Sequence, residues 1–273
     1  MGSIWFPCSR RSAVTQAALV TGAARRLGRA MALRLAARGC DVAVHYSTSV
    51  ADAEDVVREA RALGVKAEAV QADLMDAQAV ETLVRRAREA LGTPLTVLIN
   101  NASTFEYDHI TTVTSESWDR AMGSNLRAPV FLTHAFAAQC PKGAHDAAGE
   151  PIASGVVINM VDQRVRKLTP EFSSYTIAKM GLWALTRTAA QGLGPDIRVN
   201  GIGPGPTMQG ARQSAEHFAA QRAATPLKRG SDPEEICRTM EYILDTPGLT
   251  GQLLCLDGGQ HLAWQTPDVL GVE

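Results

Sequence analysis

The stretch VVINMVDQRVRKLTPEFSSYTIAK, residues 156–179, decides the fold because it predicts a buried strand, a polar loop and a helix in succession. The apolar run 156–160 is typical of a strand covered on both faces, and the helix opens near Ser173. Tyr175 and Lys179 are four residues apart, so their side chains lie on one helix face. A phenol titrates near pH ~10, and a neighbouring cation favours its ionised form. The spacing predicts a proton donor usable near neutral pH; the alternative is a core tyrosine and a surface lysine that share a face.

Length, charge and cysteine content bound the class of protein. With 273 residues and a net charge of −1, the chain is long enough for one large α/β domain, and it has no basic surplus to favour nucleic acid or an anionic membrane as partner. Its five cysteines are scattered without a C-x-x-C pair, which favours free thiols in a reducing cytoplasm and no metal site. No apolar run reaches the ~20 residues of a membrane span. We expect residues 1–14 to be a loose tail and residues 15–273 to form a single domain.

A glycine-containing turn follows the first predicted strand. Residues 17–20 are apolar, TGAARRLG follows at 21–28, and a predicted helix then ends at Gly39. Strand, glycine turn and helix in this order predict a dinucleotide site, where backbone N–H groups and a helix N-terminus meet a pyrophosphate. The alternative is an ordinary tight turn, because Arg26 stands where a three-glycine pattern has its second glycine. The cofactor contacts predicted here are Gly22, Arg25, Arg26, Leu27 and Gly28.

The end of the second predicted strand, residues 41–46, indicates which dinucleotide binds. Folds that prefer NAD usually carry an acid there, on the ribose 2′-hydroxyl. This chain has HYSTS at 45–49 instead, without a carboxylate. Arg25 and Arg26 in the glycine turn add positive charge, which tolerates a 2′-phosphate. We therefore predict NADPH as the cofactor, with further contacts from His45, Tyr46, Ser47 and Ser49.

Apolar runs alternate with helical segments along the rest of the chain, which is typical of a parallel sheet buried on both faces. Further strands are predicted at 65–71, 95–99, 197–201 and 252–256, and helices at 50–63, 76–91, 115–140, 175–192 and 232–245. The fold class is therefore α/β, a single Rossmann-type doubly wound parallel sheet of about seven strands with helices on both faces. Residues 141–155 predict a polar surface loop, and residues 208–227 predict a mobile helical lid over the substrate.

Two polar residues allow two interpretations each. Asp73, at the exit of the third strand, caps the following helix or contacts the adenine of the cofactor, and the two roles are compatible; Leu74 beside it is a further predicted cofactor contact. Asn125 lies inside a predicted helix, where asparagine is unfavourable, so it is either exposed or holds a water or a carbonyl.

Taken together, these motifs resemble the short-chain dehydrogenase/reductase superfamily. The resemblance rests on Thr21-Gly22-x-x-x-Arg26-x-Gly28, Asn100-Asn101-Ala102, Asn125, Tyr175-x-x-x-Lys179 and Pro204-Gly205, and covers roughly residues 15–262. It implies a seven-stranded parallel sheet and commonly a homotetramer. It also implies that Tyr175 gives the proton, that Lys179 holds the nicotinamide ribose and lowers the pKa of Tyr175, and that Asn125 orders a water. The further cofactor contacts implied are Asn101, Ala102, Ser103, Met160, Pro204 and Gly205.

A narrower resemblance is to the pteridine reductases and the bacterial dihydromonapterin reductases. The segments that carry it are TGAARRLG, HYSTS, QADL, NNASTF and VDQ…SYTIAKMGL. It implies that Arg26 reaches both a cofactor phosphate and a pterin, and that Phe105 stacks on the pterin ring. Asp162 stands where the superfamily usually has a catalytic serine. The substrate contacts implied are Arg26, Ser103, Phe105, Asp162, Tyr175 and Pro204.

Asp162 also favours a pterin on physical grounds. Reducing a ketone builds negative charge on oxygen, which needs hydrogen-bond donors, whereas an ionised aspartate only accepts. Reducing a ring C=N requires protonation of nitrogen, and the amino groups of a pterin require acceptors. The alternative is that Asp162 only caps a loop, while Ser173 or Ser174 takes the place of the catalytic serine.

The function predicted from the sequence is an NADPH-dependent reductase that acts on a small-molecule substrate. The substrate expected is a pterin: dihydrobiopterin, dihydromonapterin or a dihydrofolate-like compound. A second hypothesis is a carbonyl reductase of 3-oxoacyl thioesters, sugars or other ketones. A third is a non-catalytic NADP(H)-sensing module, against which the Tyr175 and Lys179 pair argues.

Overall fold

Nine strands lie within residues 16–210 and 213–264, the part of the chain that the computed structural model describes. They are β1 (Ala17–Val20), β2 (Asp41–Tyr46), β3 (Ala67–Gln71), β4 (Val97–Asn100), β5 (Ala144–His145), β6 (Pro151–Ile152), β7 (Gly155–Met160), β8 (Ile197–Pro204) and β9 (Leu253–Leu256). Seven of them form one parallel sheet in the order β3-β2-β1-β4-β7-β8-β9. The strand order reverses between β1 and β4, which opens a crevice at their carboxyl ends.

Helices connect the strands and cover both faces of this sheet. They are α1 (Arg26–Ala37), α2 (Val50–Ala62), α3 (Ala77–Leu91), α4 (Ser115–Met122), α5 (Ala128–Gln139), α6 (Ser173–Leu193), α7 (Ala215–Ala223) and α8 (Pro233–Asp245). The predicted α/β fold and its seven strands are confirmed, with most boundaries shifted by only one to three residues. The predicted tail, residues 1–14, lies outside the described residues.

The core consists of two hydrophobic layers, one on each side of the sheet. Successive residues of a strand point to opposite faces, and in β1 Ala18 and Val20 pack in one layer while Ala17 and Leu19 pack in the other. All four are fully buried. Burial of both faces explains why the strands are continuous apolar runs rather than alternating ones.

The predicted helix 115–140 is wrong as a single element. A π-helical turn, Gly123–Arg127, separates α4 from α5. Pro129 gives a physical reason: it has no N–H to donate to the carbonyl of Asn125 four residues earlier, so the α-helical ladder breaks there. Single π turns often occur at functional sites, and this one contains Asn125.

Three further predictions need correction or completion. Residues 141–155 are not only a loop, because β5 and β6 pair as an exposed antiparallel hairpin. Asp73 does not cap α3; its carboxylate accepts the N–H of Met75 at 2.9 Å, and Asp76 is the N-cap. The predicted lid contains α7, and residues 211 and 212 within it lie outside the described residues.

The part of the chain that the structure describes has no helix long and apolar enough to cross a bilayer. Three cysteines in that part of the chain, Cys140, Cys237 and Cys255, are free thiols, as predicted.

Candidate active site

A cavity of about 540 Å³ lies at the carboxyl ends of β1, β4, β7 and β8. The predicted site residues that line it are Gly22, Arg25, Arg26, Leu27, Gly28, Asn101, Ala102, Ser103, Phe105, Asp162, Tyr175, Pro204 and Gly205. The predicted contacts that do not line it are His45, Tyr46, Ser47, Ser49, Asp73, Leu74, Asn125, Met160 and Lys179. Residues from the predicted lid also line it: Met208, Gly210, Gln213, Phe218 and Gln221.

Asp162 and Tyr175 form a hydrogen-bonded pair at the cavity. The phenol donates to Oδ2 of Asp162 at 2.8 Å, and Oδ1 accepts the N–H of Arg164 at 2.8 Å. Asp162 therefore both caps the short 3-10 turn Gln163–Val165 and contacts the phenol. Neither alternative serine faces Tyr175: Ser173 donates to the carbonyl of Pro170, and Ser174 donates to a different carboxylate.

The pKa of Tyr175 is raised well above its usual value, first by burial and then by the charge and hydrogen bond of Asp162. The lowered pKa that the Lys179 spacing predicted is therefore wrong as the net result, because burial and Asp162 outweigh the ammonium. The lysine ammonium donates to the carbonyl of Met160 at 2.7 Å and lies 5.5 Å from the centre of the phenol ring, whereas Asp162 contacts the hydroxyl directly. Burial likewise raises the pKa of Asp162. The phenol therefore remains protonated near neutral pH and has a proton to give.

Lys179 is buried beneath the phenol on the same face of α6, with 2% of its surface exposed. Burial lowers the pKa of its ammonium to about 8, against a smaller opposing effect of Asp162. The shared face that its spacing predicted is thus present, and the contact with a nicotinamide ribose stays a prediction.

Asn125 links the π turn to the cavity through Ser103. Its Oδ1 accepts the hydroxyl of Ser103 at 2.6 Å, and its Nδ2 donates to the carbonyls of Ala121 and Thr104 at 3.1 and 3.0 Å. Asn125 is fully buried and holds carbonyls, one of the two alternatives the sequence left open. Ser103 lines the cavity together with Tyr175, so Asn125 supports the cavity wall through this serine.

The glycine turn leaves a helix N-terminus free for an anion. Gly22 has φ 62°, in the left-handed region that glycine favours, and a Cβ on Gly28 would lie 2.1 Å from the carbonyl oxygen of Gly22. No side chain caps the first N–H groups of α1, which begins at Arg26 beside the cavity. Uncapped N–H groups and the helix dipole favour a phosphate at this position. The residues of the turn therefore fit a dinucleotide.

His45 holds the glycine turn from beside it. Its Nδ1 accepts the N–H of Gly22 at 2.9 Å, and its Nε2 donates to the carbonyl of Ala72 at 3.2 Å. The ring is 2% exposed, and burial lowers its pKa to about 4. Both ring nitrogens are thus bonded to the backbone of this chain and support the glycine turn, and the predicted contact of His45 with the cofactor stays a prediction.

The two arginines of the turn have protein partners that the sequence did not indicate. Arg25 donates to the carboxylate of Asp52 on α2 at 2.7 Å, so part of the positive charge expected near a 2′-phosphate is already neutralised. Arg26 has φ 54° and donates to the carbonyls of Gln209 and Met208 at 2.8 and 3.2 Å. It therefore joins the glycine turn to the start of the lid.

Phe105 belongs to an aromatic cluster rather than standing alone. It stacks on Phe172 with ring centres 4.3 Å apart, and it meets Tyr175 edge to face at 4.7 Å. The guanidinium carbon of Arg164 lies over the Phe172 ring, 4.8 Å from the centre of that ring. Sequence reasoning missed Phe172, because a phenylalanine before a helix carries no signal that its backbone takes the left-handed φ of 57°.

Comparisons with known proteins agree with this geometry. A family model described as enoyl-(acyl carrier protein) reductase matches residues 22–261. The 3-oxoacyl-[acyl-carrier-protein] reductase FabG of Staphylococcus aureus (strain Mu50) is 30% identical over 254 residues, which cover 91% of this chain and 99% of that protein.

Solved structures extend the comparison. FolM alternative dihydrofolate reductase 1 from Brucella suis, in complex with NADP, is 41% identical with a TM-score of 0.86, covering 93% of this chain and 98% of that one. A blue fluorescent protein from a metagenomic library, in complex with NADPH, is 30% identical with a TM-score of 0.81, covering 90% and 97%.

Nucleotide-dependent oxidoreductases are the class that this fold and site define. Within that class, the chain belongs to the short-chain dehydrogenase/reductase superfamily. The motifs that resembled this superfamily in the sequence are thereby assigned to it. The narrower resemblance to pteridine reductases stays a prediction, because the Brucella suis structure is an alternative dihydrofolate reductase and the FabG relatives are 3-oxoacyl-[acyl-carrier-protein] reductases.

Proposed function

We propose that this chain is an NADPH-dependent reductase of a pterin, acting on a ring C=N bond. NADP(H) is its cofactor, as the sequence predicted, and an oxidoreductase of this superfamily is not the non-catalytic sensor of the third hypothesis. The observation that carries the proposal is the Asp162 carboxylate bonded to the Tyr175 phenol inside the cavity. A permanent acceptor at that position suits a substrate that presents N–H groups.

The cofactor supplies the hydride when it is bound. Tyr175 gives the accompanying proton to the ring nitrogen next to the carbon that is reduced. Asp162 orients the phenol and accepts hydrogen bonds from amino groups of the substrate. Loss of the phenol proton places a negative charge beside Asp162, which is unfavourable, so Tyr175 recovers a proton from solvent at the open side of the cavity. The nearby ammonium of Lys179 reduces the cost of that transient charge.

Phe105 and Arg26 are the other substrate contacts that we propose. The stack with Phe172 fixes the ring of Phe105 at the cavity wall, where it offers a flat apolar surface to a planar heterocycle. Arg26 lines the same cavity and reaches the lid, so its guanidinium can change partners from main-chain carbonyls to a phosphate or a pterin. We propose that the single domain closes the lid, residues 208–227, over its substrate in this way.

A second candidate function is reduction of 3-oxoacyl thioesters. The FabG relatives favour it, since they match 91% of this chain. Asp162 opposes it, because the developing alkoxide of a ketone would meet a carboxylate instead of a hydroxyl donor.

Turnover of the two substrate classes tests the proposal directly. Purified protein with NADPH is supplied with dihydrobiopterin, dihydromonapterin or dihydrofolate in one set and with a 3-oxoacyl thioester in the other, and the loss of NADPH absorbance is followed. We expect oxidation of NADPH with at least one of the pterins. Turnover of the thioester with none of the pterins would discard the substrate assignment.

The variant Asp162→Ser separates the candidates further. A serine hydroxyl donates a hydrogen bond to an alkoxide, so ketone reduction should rise while pterin reduction falls by at least about tenfold. A variant that loses both activities equally would show that Asp162 serves only to cap its loop. The ratio of kcat/KM for the two substrates is the measurement.

We also propose the homotetramer that the sequence resemblance implied. Exposed apolar side chains on two helices support an assembly: Phe131 on α5 with Ile177 and Met180 on α6, each at least 38% exposed. The molar mass in solution by light scattering tests it, and a monomer at micromolar concentration would contradict it.

A further inference from the structure

Asp108 is a buried carboxylate outside the predicted site. It lies in the loop between β4 and α4 and is 4% exposed. Its Oδ1 and Oδ2 accept the N–H of Ser174 at 3.2 and 3.3 Å, and Oδ2 also accepts the Ser174 hydroxyl. Its main-chain carbonyl accepts the N–H of Phe172 at 2.8 Å. All of these partners lie at the start of α6.

The start of α6 needs such a partner because it lacks a local cap. Phe172 is the residue at the N-cap position, and its side chain has no acceptor for the first N–H groups of the helix. Its left-handed backbone, with φ 57°, also differs from the extended conformation usual there. The carboxylate of Asp108 supplies the missing acceptor from 66 residues away, and its negative charge faces the positive end of the helix dipole.

The same loop carries the aromatic wall of the cavity. Phe105 lies three residues before Asp108 and contacts both Phe172 and Tyr175. An isolated bridge between His109 and Glu171 adds a further backbone link between the two segments. The segment 105–109 therefore holds the start of α6 in three ways: through the bonds of Asp108, the backbone bridge of His109 and the ring contacts of Phe105.

We infer that Asp108 is a positioning residue for the reaction: it fixes the first turn of α6 so that the Tyr175 phenol meets Asp162 and the ring of Phe105. It acts through Ser174 and Phe172 and does not line the cavity. The inference needs only the reductase chemistry of the superfamily, whichever substrate is reduced.

Steady-state kinetics of Asp108→Ala test the inference. Removing the carboxylate leaves the buried N–H and hydroxyl of Ser174 without their acceptor, so the first turn of α6 shifts. We expect kcat to fall about 10- to 100-fold, the loss typical of a displaced catalytic group. The Kd for NADPH, measured by fluorescence of the full-length protein, should stay within about twofold, because the glycine turn has no contact with Asp108. A structure of the variant should show the phenol moved out of hydrogen-bond reach of Asp162.

Three further variants serve as controls. Asp108→Asn keeps one oxygen for the Ser174 N–H but loses the charge and the second acceptor, so kcat should recover only in part, to between about two- and tenfold below wild type. Ser174→Ala keeps the N–H bond and removes only the hydroxyl, so its loss should be smaller than that of Asp108→Ala. Asp119→Ala, on the exposed surface of α4, should leave kcat unchanged.

Two outcomes would overturn the inference. One is a kcat of Asp108→Ala within twofold of wild type; the other is a fall in kcat matched by an equal loss of NADPH affinity, which would indicate general unfolding. If Asp108→Ala does not fold, a wild-type kcat in Asp108→Asn and in Ser174→Ala would equally refute it. The assay uses whichever substrate class the wild type reduces, so a failed pterin assignment stays distinguishable from a failed role of Asp108.

Discussion

At the scale of a single residue, the neighbouring Asp162 changes the acid–base behaviour of the Tyr175 phenol. In a protein with a serine in place of Asp162, the phenol would face a group that both donates and accepts. Here it faces a carboxylate, which keeps the phenol protonated. Its hydroxyl donates a hydrogen bond to Asp162. The Tyr175 and Lys179 spacing predicted a shared helix face, but the reversed direction of the pKa depends on burial and on a contact between segments 13 residues apart.

Tyr175→Phe should abolish catalysis and leave the cofactor site intact. The phenylalanine fills the same space but has no proton to give, so we expect kcat to fall by at least about 100-fold, the usual contribution of general acid catalysis. The Kd for NADPH should change little, which fluorescence titration checks. Retention of more than a tenth of the wild-type rate would show that another group donates the proton.

At the scale of secondary-structure elements, the sequence predicted the strands and helices that are determined by residues within or next to them. The strands follow from apolar runs, and α8 follows from Pro233 in its first turn and from Asp232 and Glu235, which form a capping box. The π turn between α4 and α5 was missed because helical periodicity continues across it. The left-handed Phe172 was missed because its cap comes from a distant loop. The parts of the candidate site that the sequence failed to predict are thus those held by tertiary contacts.

Gly28→Ala should remove cofactor binding, whereas a glycine elsewhere tolerates the same change. The new Cβ would lie 2.1 Å from the Gly22 carbonyl oxygen, so the turn must open and the helix N-terminus must move. Gly192 on α6 is the matched control, since nothing lies within 4 Å of a Cβ placed there. We expect Gly28→Ala to raise the Kd for NADPH by at least about tenfold, the effect of losing a charge-assisted bond to phosphate. Gly192→Ala should keep the wild-type Kd and increase the melting temperature slightly.

At the scale of the whole molecule, buried groups such as His45, which links the turn after β1 to the end of β3, make stability depend on pH. The folded pKa of His45 is about 4, against 6.5 for a free histidine, because the ring is buried and neutral. Between these values the unfolded chain binds more protons than the folded one, so stability rises with pH across this window. The contribution is complete above about pH 6.5 and is lost as the pH falls toward 4.

Chemical denaturation at several pH values measures this contribution. We expect His45 to account for about 3 kcal/mol of the free energy of unfolding lost between pH 6.5 and 4. In His45→Asn that part of the pH dependence should disappear, while the exposed His217→Asn should retain it. An unchanged pH dependence in His45→Asn would mean that the ring is not held neutral in the folded protein.

The bond from Arg26 to the lid has a consequence for redesign of this protein. Its guanidinium binds the main-chain oxygens of Met208 and Gln209, and every amino acid at those two positions supplies the same oxygens. Exchange of lid side chains such as Phe218 and Gln221 should therefore alter which substrates fit the cavity, while the hydrogen bonds between Arg26 and the lid remain. A library that varies the lid and keeps Arg26 offers a practical route to reductases with new substrate ranges.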